Sequence, residues 1–228
     1  MRWQEVHKML RVSAQPNIHS TEASYEIQYG TLKRANHSNT SWDAAKFEVA
    51  GQRFADLSQP DYGFAILNDC KYGYFIKGNV MSLNLLRSPK DTDKEADLHT
   101  HEFTFCYYPH HGSQIESDVL QLAHNLNSPL MLLPVAELPK IKQRSFYIVI
   151  GKNVKLEVIK QAEDGIGKIL RFYETAGTNT EIILQTAEKW NELCESDLLE
   201  NELQKICHKS DEVKLKFKPF EIRSFRLK

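Results

Sequence analysis

The sequence predicts a mainly β protein: a large antiparallel β-sandwich carrying one helix, followed by a smaller C-terminal β-sandwich. Three observations predict it. Apolar residues recur with period two along most of the chain, turn-forming clusters return at intervals of about ten residues, and a polar, proline-containing stretch separates two β series.

The first series opens with Tyr25, Ile27 and Tyr29 alternating with Ser24, Glu26 and Gln28, a strand with one buried face. Phe47 and Val49 flank Glu48 in the same way. Phe64, Ile66 and Asn68 share one face and Ala65 and Leu67 the other, so this strand is apolar on both sides and belongs inside a sandwich. Val80–Leu86 and Phe103–Tyr108 continue the series. The turns between them are Asp61-Tyr62-Gly63, Lys71-Tyr72-Gly73, Lys77-Gly78-Asn79 and Ser88-Pro89-Lys90.

A single helix interrupts this pattern. Ser113 with Glu116 forms a capping-box motif, and Ile115, Val119, Leu122 and Leu126 follow at helical spacing. Ser128-Pro129 ends it, because the residue before proline is driven out of the α region. The first β region therefore runs over 1–134, a linker over 135–144, and a second β region over 145–228. In the second region, strands are predicted at Phe146–Ile150, Val154–Lys160, Lys168–Tyr173 and Thr180–Leu184, with turns at 164–167 and 176–179. Residues 186–206 combine good helix formers with no clean helical stripe, so both helix and short strands remain open there. Val213, Leu215 and Phe217 make a half-buried strand. Beyond Pro219 the apolar parity changes between Ile222 and Phe225, which predicts a bulge near Arg223-Ser224.

Composition narrows the function. The 228 residues are 41% hydrophobic and 26% charged, with a net charge of −1, so no global field favours nucleic acid or an anionic membrane. The longest apolar run, Pro129 to Ala136, is too short to cross a bilayer. The N-terminus has no secretory-type apolar run. The cysteines Cys70, Cys106, Cys194 and Cys207 form no Cys-x-x-Cys pair and read as free thiols in a reducing compartment, which places the protein in the cytoplasm. The tripeptides Asn36-His37-Ser38 and Asn39-Thr40-Ser41 fit glycosylation sequons and are read as chance matches.

No catalytic set emerges. His99 and His101 on one strand face, followed by His110 and His111, offer zinc donors without a third ligand at diagnostic spacing. The run Asp91, Asp93, Glu95, Asp97 lies beside Lys90 and Lys94 as an exposed loop would, and singles out no acid and base pair. Cys106 and His110 lack a third group. Catalytic residues, metal ligands and a resident cofactor are therefore not expected in this chain. The stretches Asn39-Thr40-Ser41-Trp42-Asp43 and Asn68-Asp69-Cys70-Lys71-Tyr72-Gly73 suit sugar recognition, with a ring to stack on a pyranose and amide and carboxylate groups for its hydroxyls. The alternative is that Trp42 packs in a core and Asn39, Asn68 and Asp69 close turns.

These stretches carry a resemblance. Tyr25-Glu26-Ile27-Gln28-Tyr29-Gly30, Asn39-Thr40-Ser41-Trp42-Asp43, Leu67-Asn68-Asp69-Cys70-Lys71-Tyr72-Gly73, Leu85-Leu86-Arg87-Ser88-Pro89, Leu170-Arg171-Phe172-Tyr173-Glu174 and Lys218-Pro219-Phe220-Glu221-Ile222 occur in family order. Together they resemble the C-terminal region of glycoside hydrolase family 38 α-mannosidases, in the cytosolic and bacterial branch. The resemblance implies an incomplete large sandwich of the galactose-mutarotase-like supersandwich type, then the small C-terminal sandwich. It implies a parent enzyme that hydrolyses terminal α-D-mannose from oligosaccharides with retention. Its nucleophile and a divalent metal, commonly zinc, would sit in an N-terminal catalytic domain outside this chain. By matching position, Asn39, Trp42, Asp43, Asn68, Asp69, Lys71, Tyr72 and Arg87 are candidates for the sugar pocket or the domain interface. The sequence departs from the family pattern at Ala35-Asn36-His37-Ser38, and around Asp91 to Thr100 it lacks the basic residue often found there in the family.

The expected partners are a mannose-containing oligosaccharide and the N-terminal catalytic domain of the same enzyme. Two other readings stand beside this one: a free-standing carbohydrate-binding module, and a structural β protein that associates with itself through exposed edges.

Overall fold

The structure, a computed structural model, describes residues 1–137, 143–208, 210 and 212–228. The chain divides into two compact units, Met1–Leu132 and Leu133–Lys228. Residues 138–142 of the predicted linker lie outside the described residues.

The first unit contains β1 (Leu10–Ala14), β2 (Glu22–Ile27), β3 (Gly30–Ala35), α1 (Ser41–Ala44), β4 (Val49–Ala50), β5 (Phe54–Ser58), β6 (Tyr62–Asn68), β7 (Gly73–Lys77), β8 (Val80–Leu86), β9 (Phe105–His111) and α2 (Val119–Asn127). Its strands form a four-stranded sheet, β1-β8-β7-β4, and a five-stranded sheet, β3-β2-β5-β6-β9. Tyr25, Leu57 and Ile66 from the larger sheet meet Tyr74, Met81 and Leu83 from the smaller one in a single core. Each such buried side chain contributes about 1.5–3 kcal/mol by leaving water. The two-sided strand expected at Phe64–Asn68 is β6. Its Ile66 enters the sandwich core, while Ala65 and Leu67 pack with Phe54 against Val119 and Ala123 of α2.

Several expectations are corrected. The helix begins at Val119, not at Ser113. Glu116 Oε2 does accept from the Ser113 amide at 3.0 Å and from its hydroxyl at 2.9 Å, but the motif closes an isolated turn, and Ile115 is exposed. A second, four-residue helix, α1, holds Trp42. Phe47 lies before β4 and is exposed, so it is not a buried strand residue. Tyr29 sits in the turn that closes β2 onto β3 with φ of 53°. Glu26 is buried rather than solvent-facing, because Arg53 reaches it with its Nε at 2.9 Å from Oε2. Asn36 of the first sequon is also buried, and its amide donates to the carbonyls of Ser20 and Gly78, both at 2.9 Å.

The second unit contains β10 (Tyr147–Ile150), β11 (Val154–Gln161), β12 (Lys168–Glu174), β13 (Thr180–Thr186), β14 (Glu192–Ser196), β15 (Glu202–His208), β16 (Glu212–Phe217) and β17 (Ile222–Leu227). A three-stranded sheet, β10-β13-β16, faces a five-stranded one, β11-β12-β17-β14-β15, and Ile182, Leu184 and Leu215 meet Phe172, Leu193 and Phe225 between them. The open region 186–206 resolves into β14 and the start of β15. The bulge expected near Arg223-Ser224 is absent: β17 pairs with β12 in unbroken register from Ile222 to Leu227. Ile222 lies on the face opposite Phe225 and is exposed, so the apolar parity differs without any break in the strand. Ser224 and Arg226 are nevertheless buried on the face opposite Phe225. Arg171 Nε donates to Ser224 Oγ at 2.9 Å, and Arg226 Nε donates to the Ile166 carbonyl at 3.0 Å.

Candidate functional site

The loop between β6 and β7 builds the strongest candidate site. Asn68, the last residue of β6, is buried and works as its framework. Its amide nitrogen donates to Tyr74 Oη at 2.5 Å and to the Gln52 carbonyl at 3.2 Å, and its Oδ1 accepts from the amides of Cys70 at 3.0 Å and Lys71 at 2.5 Å. Asn127, at the end of α2, donates to the Asn68 carbonyl at 3.0 Å. The side chain thus fixes the loop by local bonds that a turn-closing asparagine supplies.

The loop walls a cleft of about 140 Å³ with Gln52, Arg53 and Asn127. Asp69 accepts from the Thr104 amide at 3.0 and 3.1 Å. Burial alone would raise its carboxyl, but hydrogen bonds from the Cys70 thiol and Thr104 outweigh it and hold the carboxyl below its ordinary range. The Cys70 thiol is pushed up to about 11, chiefly by burial and then by Asp69, so it remains a protonated donor. Lys71 places its amine 5.5 Å from the centre of the Phe103 ring, and Tyr72 is 64% exposed. Arg53 is oriented by the buried Glu26. The cleft therefore offers an ionised carboxylate, two cations, amide groups and an exposed ring, a set that matches a hydroxyl-rich ligand.

The other predicted residues lie elsewhere. Trp42 is 82% exposed, which removes the reading that it packs in a core. Asp43, in the same short helix, accepts from Thr40 Oγ1 at 2.8 Å, while Thr40 Oγ1 accepts from the Asp43 amide at 3.1 Å. That bond from Thr40, then Lys46 and His37, keep its carboxyl low against a smaller burial effect. Asp43 lines a separate hollow of about 40 Å³. Asn39 is exposed in the loop before α1. Arg87 is exposed after β8, where its amide donates to Asp97 Oδ2 at 3.2 Å. Asn68, Asp69, Lys71 and Tyr72 thus share one cleft, while Asn39, Trp42, Asp43 and Arg87 do not line it. Sequence reasoning missed Gln52, Arg53 and Asn127. Only the position of Asn127 beside Ser128-Pro129 marks it as a helix end.

His99, His101 and His110 make local packing and hydrogen-bond contacts. His99 and His101 lie outside strands with their rings stacked at 5.2 Å, and His101 Nε2 is 2.8 Å from the Asp97 carbonyl. His110 is buried on β9, with Nε2 2.7 Å from the buried Asp56 Oδ2. The Ser58 hydroxyl bonds the other Asp56 oxygen, so it points at the carboxylate and not at the imidazole, as nucleophile activation would need. In the acidic run, Asp97 accepts from the Ser88 amide at 2.8 Å and Asp93 from the Glu95 amide at 2.9 Å, so both build the loop. Among the described residues, one cluster has donor atoms within 4.8 Å: Glu192, Cys194 and Glu202. Lys205 bonds Glu192 and Lys228 bonds Glu202, and the Cys194 thiol is pushed up to about 11, first by burial and then by Glu192. Ammonium groups already neutralise this cluster, so it does not fit a divalent ion.

Two family models match the chain. Residues 1–95 match the glycosyl hydrolases family 38 C-terminal domain, and residues 153–225 match the family 38 C-terminal beta sandwich domain. The chain is 43% identical over its whole length to Alpha-mannosidase 2C1 of Mus musculus, of which it covers 22%. It is 38% identical over 99% of its length to Alpha-mannosidase of Saccharomyces cerevisiae, covering 23% of that protein. The chain thus spans less than a quarter of the length of these relatives. The crystal structure of an alpha-mannosidase from Enterococcus faecalis shares the fold, with a TM-score of 0.79 over 96% of this chain and 26% of that one at 17% identity.

Proposed function

This chain belongs to glycosyl hydrolase family 38, of which it carries the C-terminal region, and on that premise we propose that it is the non-catalytic β portion of an α-mannosidase. The observation that carries the reading is that relatives named α-mannosidases match the chain end to end while it spans only 22–23% of their length. The partner it needs is the catalytic portion of the same enzyme, and the substrate of the assembled enzyme is a mannose-containing oligosaccharide. The divalent metal implied by the family, zinc or another, belongs to that catalytic portion, since the one donor cluster among the described residues is occupied by lysines.

Within the enzyme, the cleft at Asn68–Tyr72 forms the edge of the sugar site. Asp69, Lys71 and Tyr72 supply hydroxyl contacts and a ring face, and Asn68 holds them in place. Leu130, Met131 and Leu132, which end the first unit, are at least 83% exposed, as an apolar segment covered by another part of the enzyme would be. The cysteines Cys70, Cys106, Cys194 and Cys207 are free, which supports a cytoplasmic location. Among the described residues, no helix is long and apolar enough to cross a membrane.

The test is kinetic, in a full-length polypeptide carrying this segment. Lys71→Ala and Tyr72→Ala each raise KM for a mannose disaccharide by about 3- to 30-fold, the worth of one or two polar contacts. Unchanged KM in both would remove the sugar-edge role. The rival arrangement, self-association through edge strands, requires a concentration-dependent dimer of the purified chain that has no sugar affinity.

A further inference from the structure

A larger cleft, of about 550 Å³, opens in the second unit at one end of its sandwich. Its chemistry is set by polar residues on a face that is otherwise core. Glu195 lies opposite Phe225 across the β14–β17 pairing, and Arg223 is two residues from Phe225 on the same face of β17. Arg223 lies 4.9 Å from the centre of the Phe225 ring and 5.6 Å from that of Phe217. Its Nε donates to Glu195 Oε1 at 2.6 Å, and Gln204 donates to Glu195 Oε2 at 2.7 Å. Charged groups on an inward face are rare unless paired, and this pair is aimed into an open cleft. A guanidinium has five N–H donors and a carboxylate about four acceptor sites, so both groups keep bonding capacity beyond these contacts.

The cleft is not shaped for an added strand. β16 is an edge strand among the described residues, but Arg223 Nη1 donates to the Lys216 carbonyl at 2.6 Å and the Lys218 amide donates to Glu221 Oε2 at 2.8 Å. Side chains thus occupy two backbone groups at the C-terminal end of that edge, where the cleft lies. The lining charges also cancel: Glu181, Glu195 and Glu221 stand against Lys216, Lys218 and Arg223. A balanced wall gives neither an anion nor a cation a net attraction, while its interleaved donors and acceptors suit hydroxyls, which are both.

We propose that this cleft is a second binding site, independent of the loop at Asn68–Tyr72, for a neutral polyhydroxylated ligand of the short-oligosaccharide class. Glu195 and Arg223 form its floor and Gln204 and Asn179 its rim.

The test is an amide chemical-shift titration of the 228-residue chain with α-mannobiose, maltotriose and inorganic phosphate. The expected result is saturable, millimolar binding of at least one sugar, with shifts on β14, β16 and β17. Gln204→Ala or Asn179→Ala, both changes at exposed positions, weakens it about 2- to 10-fold. Lys71→Ala leaves it unchanged, so the two sites are read separately. Absence of saturable shifts in the second unit with both sugars, indifference to both rim variants, or tighter binding of phosphate would each overturn the proposal.

Discussion

Replacing His110 by alanine tests how the first unit holds its buried charges. The His110 and Asp56 side chains are 3% and 1% exposed, and their contact is 2.7 Å long. His110→Ala leaves Asp56 with the Ser58 hydroxyl and no counter-charge. Breaking a buried pair in this way costs about 3–5 kcal/mol. Gly63 depends on the same packing: a Cβ there would lie 2.1 Å from His110 Cε1, which is why glycine faces the imidazole across the β6–β9 pairing. The loss depends on pH in a defined direction. Burial lowers the His110 pKa, but the hydrogen bond and charge of Asp56 outweigh it and raise the pKa above 6.5. A raised folded-state pKa gives stability that is fully present below about 6.5 and fades as pH rises through the folded value. The deficit of the variant is therefore largest near pH 5.5 and smaller near pH 9. Hydrogen-exchange protection of β5, β6 and β9 amides reads it directly. A deficit under about 1 kcal/mol at acid pH, or one that grows as pH rises, would refute the reasoning.

Other substitutions probe separate parts of the account. Tyr74→Phe removes the hydroxyl that donates to the Gln52 carbonyl at 2.8 Å and accepts from Asn68, so calorimetry should show a loss of about 1–3 kcal/mol. Amide exchange should quicken over residues 68–72. Gly167→Ala meets both a φ of 80° and the Leu227 carbonyl oxygen at 2.2 Å, so urea unfolding should show the second unit destabilised by at least about 2 kcal/mol. Trp42→Ala removes a ring that is 82% exposed, and the melting profile should move by no more than about 0.5 kcal/mol equivalent.

The sheet architecture was legible where burial alone sets the pattern. β6 announced itself because both parities are apolar, and one face found a helix while the other found the opposite sheet. Errors arose where a distant partner changes the environment. Glu26 reads as solvent-facing until Arg53, 27 residues away, neutralises it. Glu116 accepts from both the amide and the hydroxyl of Ser113, but this local bonding does not extend a helix without apolar cover for Ile115. Residues 192–208 contain helix formers, yet pairing of β14 with β17 and the Lys205–Glu192 bridge favour a hairpin, so tertiary pairing overrode propensity. The site followed the same rule. Asn68 to Tyr72 are contiguous and were found as a unit. Gln52, Arg53 and Asn127 come from other elements, and no sequence spacing joins them to the loop.

The central claim is that this segment carries no catalytic centre of its own and serves an α-mannosidase from outside the chemistry. The most direct measurement is hydrolysis of an aryl α-mannoside by the purified 228-residue chain, with zinc or cobalt supplied, beside a full-length polypeptide that contains the segment. Turnover is expected from the full-length polypeptide, and no rate above buffer from the chain alone. Chelator-sensitive turnover by the chain alone would contradict it.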